Sequence, residues 1–260
     1  MKPLNVFLGY DSREHDAYMV AKASIERRAS VPVLITPLVA EHLHHLIPPP
    51  IPRDGKLYDP ESDAFQSTEF ARSRFCIPYL QNGGMALFID LDIVCLTDIK
   101  DLFYPCGAGT FSGNVHSKYA VKVVKHDYQP TETTKMDGQI QTAYPRKNWS
   151  SVLLWNLDHP AHARLTKQRL AWWPGRDLHA FKWLQDDEIG ELHSSWNHLC
   201  GVTPFNPDKG GYPDGYGDKP NILHYTNGGP WIPNWKGGEF DEVWKTEYNS
   251  LLAKEIAATS

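Results

Sequence analysis

Two aspartates separated by one residue follow an apolar run in the string MALFIDLD, at Asp90 and Asp92. In an extended backbone, alternate side chains point to the same side, with roughly 7 Å between their Cα atoms. Both carboxylates can therefore serve one cation, and two anions at the mouth of a buried strand need a counter-charge. The pattern predicts a divalent metal site. The alternative is an ordinary acidic turn after a strand.

A histidine and a glycine pair occur together near the end of the chain, in NILHYTNGGPW. The imidazole of His224 can complete a carboxylate-rich site, and a mixed oxygen and nitrogen ligand set suits Mn²⁺ better than Mg²⁺ or Ca²⁺. Gly228 and Gly229 let backbone N–H groups approach a diphosphate closely. We therefore expect His224 to join the two aspartates around Mn²⁺, with Mg²⁺ as the alternative metal. A structural or exposed role is the other interpretation of this histidine.

The elements that place these residues follow from the apolar pattern. Residues 5–9 form a short buried strand, and Asp11 with Glu14 makes a capping box for a helix. Further strands are expected at 31–38, 85–89, 119–124 and 152–155. Strands that alternate with helical or loop segments indicate an open α/β sheet, and ligands bind beyond the carboxyl ends of its strands.

A second helix and a closing helix are also predicted. Ser67 or Thr68 can cap the second helix, which Pro78 kinks or ends. Apolar residues keep helical spacing over about 239–257, which predicts an amphipathic helix packed on the body of the protein.

Two long stretches, 46–63 and 203–220, are rich in proline or glycine and are expected to be irregular. Loops of that length are usually functional or disordered. The second precedes His224, so we interpret it as a lid in which Tyr212 and Tyr216 cover the ligand. A plain surface loop is the alternative.

Composition limits the class of protein. The 260 residues suffice for a full core, and we expect one domain over 1–260. Four widely spaced cysteines argue against a disulfide framework and favour the cytoplasm. A net charge of -5 disfavours nucleic-acid binding, and no apolar run is long enough for a transmembrane segment.

Four segments together resemble glycosyltransferase family 8, the retaining enzymes that include glycogenin and bacterial lipopolysaccharide galactosyl- and glucosyltransferases. They are FLGYDSREHDAY, STEFARSRFCIPYL, DLD and HYTNGGPW, and the nearest match is a bacterial and phage branch. The resemblance runs from Val6 to Trp231. It implies a GT-A fold, which is a Rossmann-like nucleotide-sugar-binding domain, with a UDP-sugar donor, Mn²⁺ and retention of anomeric configuration.

The resemblance also implies roles for individual residues. The metal ligands are Asp90, Asp92 and His224. The donor-binding residues are Tyr10 and Asp11 at the uridine end, Arg74, Leu91, Gly228 and Gly229. The segment WLQDDEIGEL resembles the acidic stretch beside the donor sugar, which makes Asp186 and Asp187 the catalytic candidates. A solvated acidic turn is the alternative for this pair.

Two departures from the family pattern matter. The lysine that the family carries before Pro-Trp is replaced by Gly229, so diphosphate charge must be neutralised elsewhere. The family's Asn-Ala-Gly-Val run appears as Trp-Ser-Ser-Val from Trp149, which leaves the donor sugar open. The acceptor, whether a glycan, a lipid-linked sugar or another hydroxyl, is not specified by the sequence.

Two other functions compete with glycosyl transfer. In a haloacid-dehalogenase-like phosphatase, Asp90 would be the phosphorylated nucleophile and Asp92 the acid. Such motifs normally lie on the first strand, whereas a strand and a helix precede this one, and His224 would have no role. The other alternative is a nucleotide-sugar-binding protein without turnover.

Overall fold

The computed structural model describes residues 2–104, 118–127, 146–205 and 219–259. The strands are β1 (Leu4–Gly9), β2 (Val33–Leu38), β3 (Ile51–Arg53), β4 (Lys56–Asp59), β5 (Ala64–Gln66), β6 (Met85–Ile89), β7 (Ile93–Cys95), β8 (Val121–Val123), β9 (Val152–Asn156), β10 (Ile189–Glu191), β11 (His198–Leu199) and β12 (Ile222–His224). The α-helices are α1 (His15–Arg28), α2 (Ile77–Leu80), α3 (Lys100–Phe103), α4 (Lys167–Trp172), α5 (Gly175–His179) and α6 (Asp241–Thr259). Most of the lid expected at 203–220, including Tyr212 and Tyr216, lies outside the described residues.

The central sheet of the described chain has the strand order β10-β8-β9-β6-β1-β2. β1 pairs in parallel with β2 and β6, and β8 pairs in parallel with β10. β9 runs antiparallel to β6 and β8. The predicted α/β class with a mostly parallel sheet is therefore confirmed. β6 and β9 are buried almost throughout, which explains their uninterrupted apolar sequences.

A second sheet joins distant segments in the order β11-β12-β7. β12 pairs in parallel with β11 and antiparallel with β7, so that His224 lies opposite both Leu199 and Ile93. The sheet thus brings the chain after Asp92 next to the strand that ends in His224.

The core contains many of the aromatic side chains. Trp183 lies between Phe75 and Trp155, with ring centroids 5.8 and 6.3 Å away. Cys76 and Cys95 are free and buried in this core.

The first helix begins later than predicted. Asp11 accepts a hydrogen bond from the Arg13 N–H and caps a 3-10 turn, and α1 follows from His15. The Asp11 side chain accepts from the Arg13 N–H rather than from that of Glu14, as a capping box would require, and the Glu14 carboxylate accepts from Trp231 Nε1 at 2.8 Å.

The second helix is shorter than predicted. It consists of a 3-10 turn from Ser73 followed by α2, and Pro78 lies in the first turn of α2, where its missing N–H costs no hydrogen bond. Neither Ser67 nor Thr68 caps it. The Glu69 N–H, in the turn that precedes the helical segment, donates to Asp11 Oδ2 at 3.0 Å.

The stretch 46–63 is not wholly irregular, contrary to our expectation. β3, β4 and β5 form a small antiparallel sheet. Pro52 is tolerated because β3 is an edge strand of this sheet.

The closing helix α6 matches the predicted one to within two residues at each end. Buried Glu247 pairs with Arg27 at 3.0 Å and with Arg28 at 2.7 Å, which fixes α6 on α1. Within the described ranges, no helix has both the length and the apolar character needed to cross a bilayer.

Candidate metal centre and donor site

Backbone hydrogen bonds hold the two aspartates in place. Asp90 follows β6, and its N–H donates to the Ser151 carbonyl at 2.9 Å. The Asp92 carbonyl accepts from the Tyr225 N–H, also at 2.9 Å. Leu91 between them is buried, so both carboxylates project from the same short connection between β6 and β7.

The structure brings Asp90, Asp92 and His224 together. One ligand atom from each lies within 4.8 Å of the other two, and His224 Nε2 is 3.3 Å from Asp92 Oδ1. Ligands of one ion, each about 2.1 Å from it, lie about 3 to 4 Å apart. Small side-chain adjustments would therefore suffice to hold one divalent cation.

Asn197 fixes the orientation of the His224 ring. Its Nδ2 donates to Ser151 Oγ at 3.0 Å and to the Asn148 carbonyl, so its Oδ1 faces His224 Nδ1 at 2.9 Å. An amide oxygen only accepts hydrogen bonds, so Nδ1 must carry the proton. His224 Nε2 then faces the Asp92 carboxylate, where a metal ion between the two groups could be bound by both.

Arg74 neutralises part of the acidic charge. Its guanidinium lies 2.8 Å from Asp90 Oδ1, donates to the Ser150 carbonyl at 2.8 Å and stacks 4.7 Å from the Phe88 ring centroid. The two carboxylates and the guanidinium together carry a net charge of -1. A divalent cation would change this to +1, which suits a bound diphosphate.

A small cavity lies beside Asp92. It has a volume of about 20 Å³, which is enough for one water molecule. It is lined by Glu14, Ser67, Thr68, Phe70, Leu91, Asp92, Gly228 and Ile232. Gly228 has φ of 109°, and a Cβ there would lie 2.5 Å from Ile232 Cδ1, so this position requires glycine. Gly229 is packed against the Trp231 ring. Leu91 and Gly228 thus lie beside the candidate metal centre.

Tyr10 and Asp11 differ in their availability to a ligand. The Tyr10 ring is half-buried and packs edge-on against Tyr18, with centroids 5.1 Å apart. Asp11 is fully buried, and both of its carboxylate oxygens accept hydrogen bonds from Arg13. Asp11 therefore supports the local backbone, while Tyr10 presents a partly open ring.

Asp186 and Asp187 lie on an exposed 3-10 turn. The Asp186 side chain is 90% exposed and pairs with Arg146 at 2.5 Å. Arg146 in turn lies over the Trp149 ring, 5.3 Å from its centroid. Neither aspartate belongs to the cluster of ligand atoms that Asp90, Asp92 and His224 form.

A wider cleft of about 670 Å³ is lined in part by His126, Glu191, His193 and Thr203. Burial, followed by the charges of His224 and His198, lowers the pKa of His126 to about 3. His126 is therefore neutral at physiological pH. The Trp149 indole donates to its carbonyl at 2.9 Å.

The sequence pattern assigns no site role to Asn197, Ser151 or Arg146. Asn197 precedes His224 by 27 residues and has no motif around it. Only the pairing of β11 with β12 brings it next to the imidazole.

The fold is shared with known glycosyltransferases. GlyE of Streptococcus pneumoniae TIGR4 superposes with a TM-score of 0.56 at 14% identity, covering 100% of this chain and 64% of GlyE. The bifunctional glycosyltransferase WbbM gives 0.58 at 15%, covering 95% and 49%. The galactosyltransferase LgtC, in complex with donor and acceptor sugar analogs, gives 0.53 at 11%, covering 95% and 96%. The chain thus spans less than two thirds of GlyE and of WbbM, and it has the GT-A fold.

Sequence comparison relates the chain to a plant protein. No protein-family model matches it. It is 41% identical to Protein CDI of Arabidopsis thaliana over 261 residues, which covers 98% of this chain and 90% of that protein. The chain therefore belongs to the family of Protein CDI.

Proposed function

We propose that the protein is a metal-dependent glycosyltransferase of family 8 that transfers a hexose from a UDP-sugar to a hydroxyl acceptor. The observation that carries this proposal is the grouping of Asp90, Asp92 and His224 at the end of β6 in a GT-A fold. The glycine turn at Gly228 lies beside the same centre.

Each residue of the centre has a proposed role. Asp90, Asp92 and His224 would hold Mn²⁺, with Mg²⁺ as the alternative. A bound divalent ion supplies Lewis-acid stabilisation of the charge that develops on the departing diphosphate. Arg74 pairs with Asp90 and orients its carboxylate, and the backbone at Gly228 allows the diphosphate to approach closely.

The remaining roles rest on the family resemblance. Tyr10 would stack near the uracil, and Gly229 would adjoin the diphosphate. Retention of configuration requires a group on the donor-sugar side, for which Asp186 or Asp187 is the acidic candidate. The Arg146 and Trp149 contacts connect Asp186 to the segment that binds Arg74 and Asp90. We place the reaction in the cytoplasm, as the cysteine usage favours.

A thermal-shift panel tests this proposal directly. UDP, GDP and ADP are added to the full chain with and without Mn²⁺. We expect UDP to stabilise the wild type only with Mn²⁺, and Asp92→Asn to lose this effect. Asp158→Asn, a change of an exposed aspartate, is the matched control and should behave like the wild type. Equal UDP stabilisation of Asp92→Asn and wild type would contradict the metal assignment.

Enzyme assays separate the alternatives. A glycosyltransferase should hydrolyse a UDP-hexose slowly, with water in place of the acceptor, and should leave p-nitrophenyl phosphate intact. The opposite pattern, with inhibition by beryllium fluoride, would favour a phosphatase that uses Asp90. UDP binding without release of UDP from any UDP-hexose or acceptor mixture would favour a binding protein.

A further inference from the structure

The wider cleft lies at the same edge of the central sheet as the candidate metal centre. β6, β8 and β10 run in one direction, because β9 is antiparallel to both β6 and β8, and β10 is parallel to β8. Their carboxyl ends therefore share one edge of the sheet, where α/β proteins bind their ligands. Asp90 follows β6, and residues 125–127 and 192–194, which line the cleft, follow β8 and β10.

The cleft is also next to the third candidate metal ligand. Leu199 lines the cleft and is paired with His224 in the second sheet. His126, another lining residue, is close enough to His224 for a charge on one ring to affect the pKa of the other. A ligand in the cleft would thus lie beside a donor held at the metal centre.

The cleft has room for more than a small ion or a water cluster. Its volume of about 670 Å³ lies within the range of about 300 to 1,000 Å³ that is usual for sites of drug-sized ligands. Buried Val124, Leu192 and Leu199 give it an apolar floor. A short oligosaccharide has a suitable size, and the C–H faces of its rings can pack on such a floor.

The charged groups of the cleft disfavour an anionic ligand. Asp127 and Glu191 are exposed, and within the described part of the chain neither side chain makes an ion pair or a hydrogen bond. Lys125 lines the same cleft, with its Nζ 5.8 Å from the Trp149 ring centroid. The described lining thus carries two negative charges and one positive charge, which together repel an anion.

His126 and Ser194 add neutral hydrogen-bonding groups. His126 Nε2 is buried and has no hydrogen-bond partner among the described residues. A buried polar atom normally has a partner, and a hydroxyl group of a ligand could supply one. A neutral imidazole has one donor and one acceptor nitrogen, and a serine hydroxyl both donates and accepts. Sugar hydroxyls, which also donate and accept, match this mixture of groups.

We propose that the cleft binds the acceptor of the reaction, a neutral oligosaccharide whose hydroxyl groups bond to Asp127, Glu191 and His126. The inference rests on the proposed glycosyltransferase function and specifies its acceptor. An acidic sugar would be repelled by the two carboxylates, and the ammonium group of an amino sugar would be repelled by Lys125.

A carbohydrate array tests the class of ligand. It is probed with the fluorescently labelled full chain in the presence of UDP and Mn²⁺. The array carries neutral oligosaccharides of glucose, galactose, mannose and xylose, together with glucosamine oligomers and chains that contain uronate or sialate. We expect binding to neutral oligosaccharides. The oligosaccharide that binds most tightly should also raise UDP release from a panel of UDP-hexoses above the rate with water.

Variants show whether the cleft causes this binding. The double variant Asp127→Ala with Glu191→Ala should bind the oligosaccharide at least tenfold more weakly in calorimetry, since hydrogen bonds to charged groups are worth about that factor. Asp158→Ala with Glu242→Ala removes two exposed carboxylates outside the cleft and should keep the wild-type affinity. Urea unfolding verifies that both double variants are folded.

Three results would overturn the proposal. They are binding of no neutral oligosaccharide, binding confined to amino or acidic sugars, and equal affinity in the wild type and the cleft variant. An oligosaccharide that binds in the cleft without raising UDP release from any UDP-hexose of the panel would overturn its role as acceptor.

Failure of the proposed function gives a different result. In that case UDP itself does not bind with Mn²⁺, and the array is probed with the nucleotide-free chain. Neutral oligosaccharides that bind the wild type but not the cleft variant then support the cleft as a saccharide site. Absence of such binding overturns the cleft as well.

Discussion

Replacement of Asn197 by alanine tests whether the orientation of His224 matters for metal binding. In the structure Asn197 Oδ1 is the acceptor that keeps the proton on Nδ1 and leaves Nε2 for the ion. Loss of such a partner typically weakens metal affinity by about 10- to 100-fold. That corresponds to about 1.4 to 2.8 kcal/mol of binding free energy.

The same substitution also affects folding. Asn197 is fully buried, and its Nδ2 hydrogen bonds to Ser151 and to the Asn148 carbonyl are lost. The free energy of unfolding should fall by about 1 to 3 kcal/mol. Domains of this kind typically have about 5 to 15 kcal/mol of stability, so the variant should still fold.

The assay is Mn²⁺ titration followed by the electron paramagnetic resonance signal of the free ion, with urea unfolding in parallel. Asn197→Asp keeps an acceptor for Nδ1 and should bind Mn²⁺ nearly as well as the wild type. Ser151→Ala removes a neighbouring buried hydroxyl and leaves Oδ1 in place, so it should lower stability more than Mn²⁺ affinity. Wild-type Mn²⁺ affinity in folded Asn197→Ala, or equal weakening in Ser151→Ala, would refute the reasoning.

Three further outcomes concern stability and reactivity. Gly228→Ala should lower the free energy of unfolding, measured with urea, by about 2 to 4 kcal/mol, because the added Cβ would contact Ile232. Gly201 also has a positive φ but faces open space, so Gly201→Ala should lower the free energy of unfolding by only about 1 kcal/mol. Glu247→Ala should lower the free energy of unfolding by about 1 to 3 kcal/mol, because two arginines of α1 lose their carboxylate partner. Glu242 is exposed, so Glu242→Ala should lower it by less than about 0.5 kcal/mol. Equal decreases for the two variants would contradict the role of the buried Glu247 ion pairs. Burial raises the pKa of Cys76 to about 12, so its thiol should resist a disulfide reagent at pH 8 until the chain unfolds, and rapid reaction of the native protein would contradict its burial.

The local elements were largely predictable from the sequence. The strands at 85–89 and 152–156 and the closing helix follow from apolar patterns that depend on neighbouring residues alone. The prediction of a helix capped at Ser67 or Thr68 was wrong, since the backbone there forms turns as far as Arg72 and the Glu69 N–H donates to Asp11, which is 58 residues away along the chain. Helix and capping propensities depend on neighbouring residues, so they cannot predict a hydrogen bond to a residue that far away along the chain.

The candidate metal centre was also predictable only in part. The spacing of Asp90 and Asp92 after an apolar run was enough to predict a pair of carboxylates at a strand end, and a late His-Gly-Gly motif was enough to suggest a third ligand. The approach of the three side chains to within 4.8 Å agrees with that expectation.

Only the tertiary structure decided what surrounds these ligands. The second sheet places Asn197 against His224, and the fold places Arg74 against Asp90, through contacts between residues far apart in the chain. It also gives Asp11 a structural role and leaves Asp186 exposed. A residue's type and spacing determine which chemistry it can do, whereas its charge balance, proton position and access to a ligand depend on neighbours that only folding supplies.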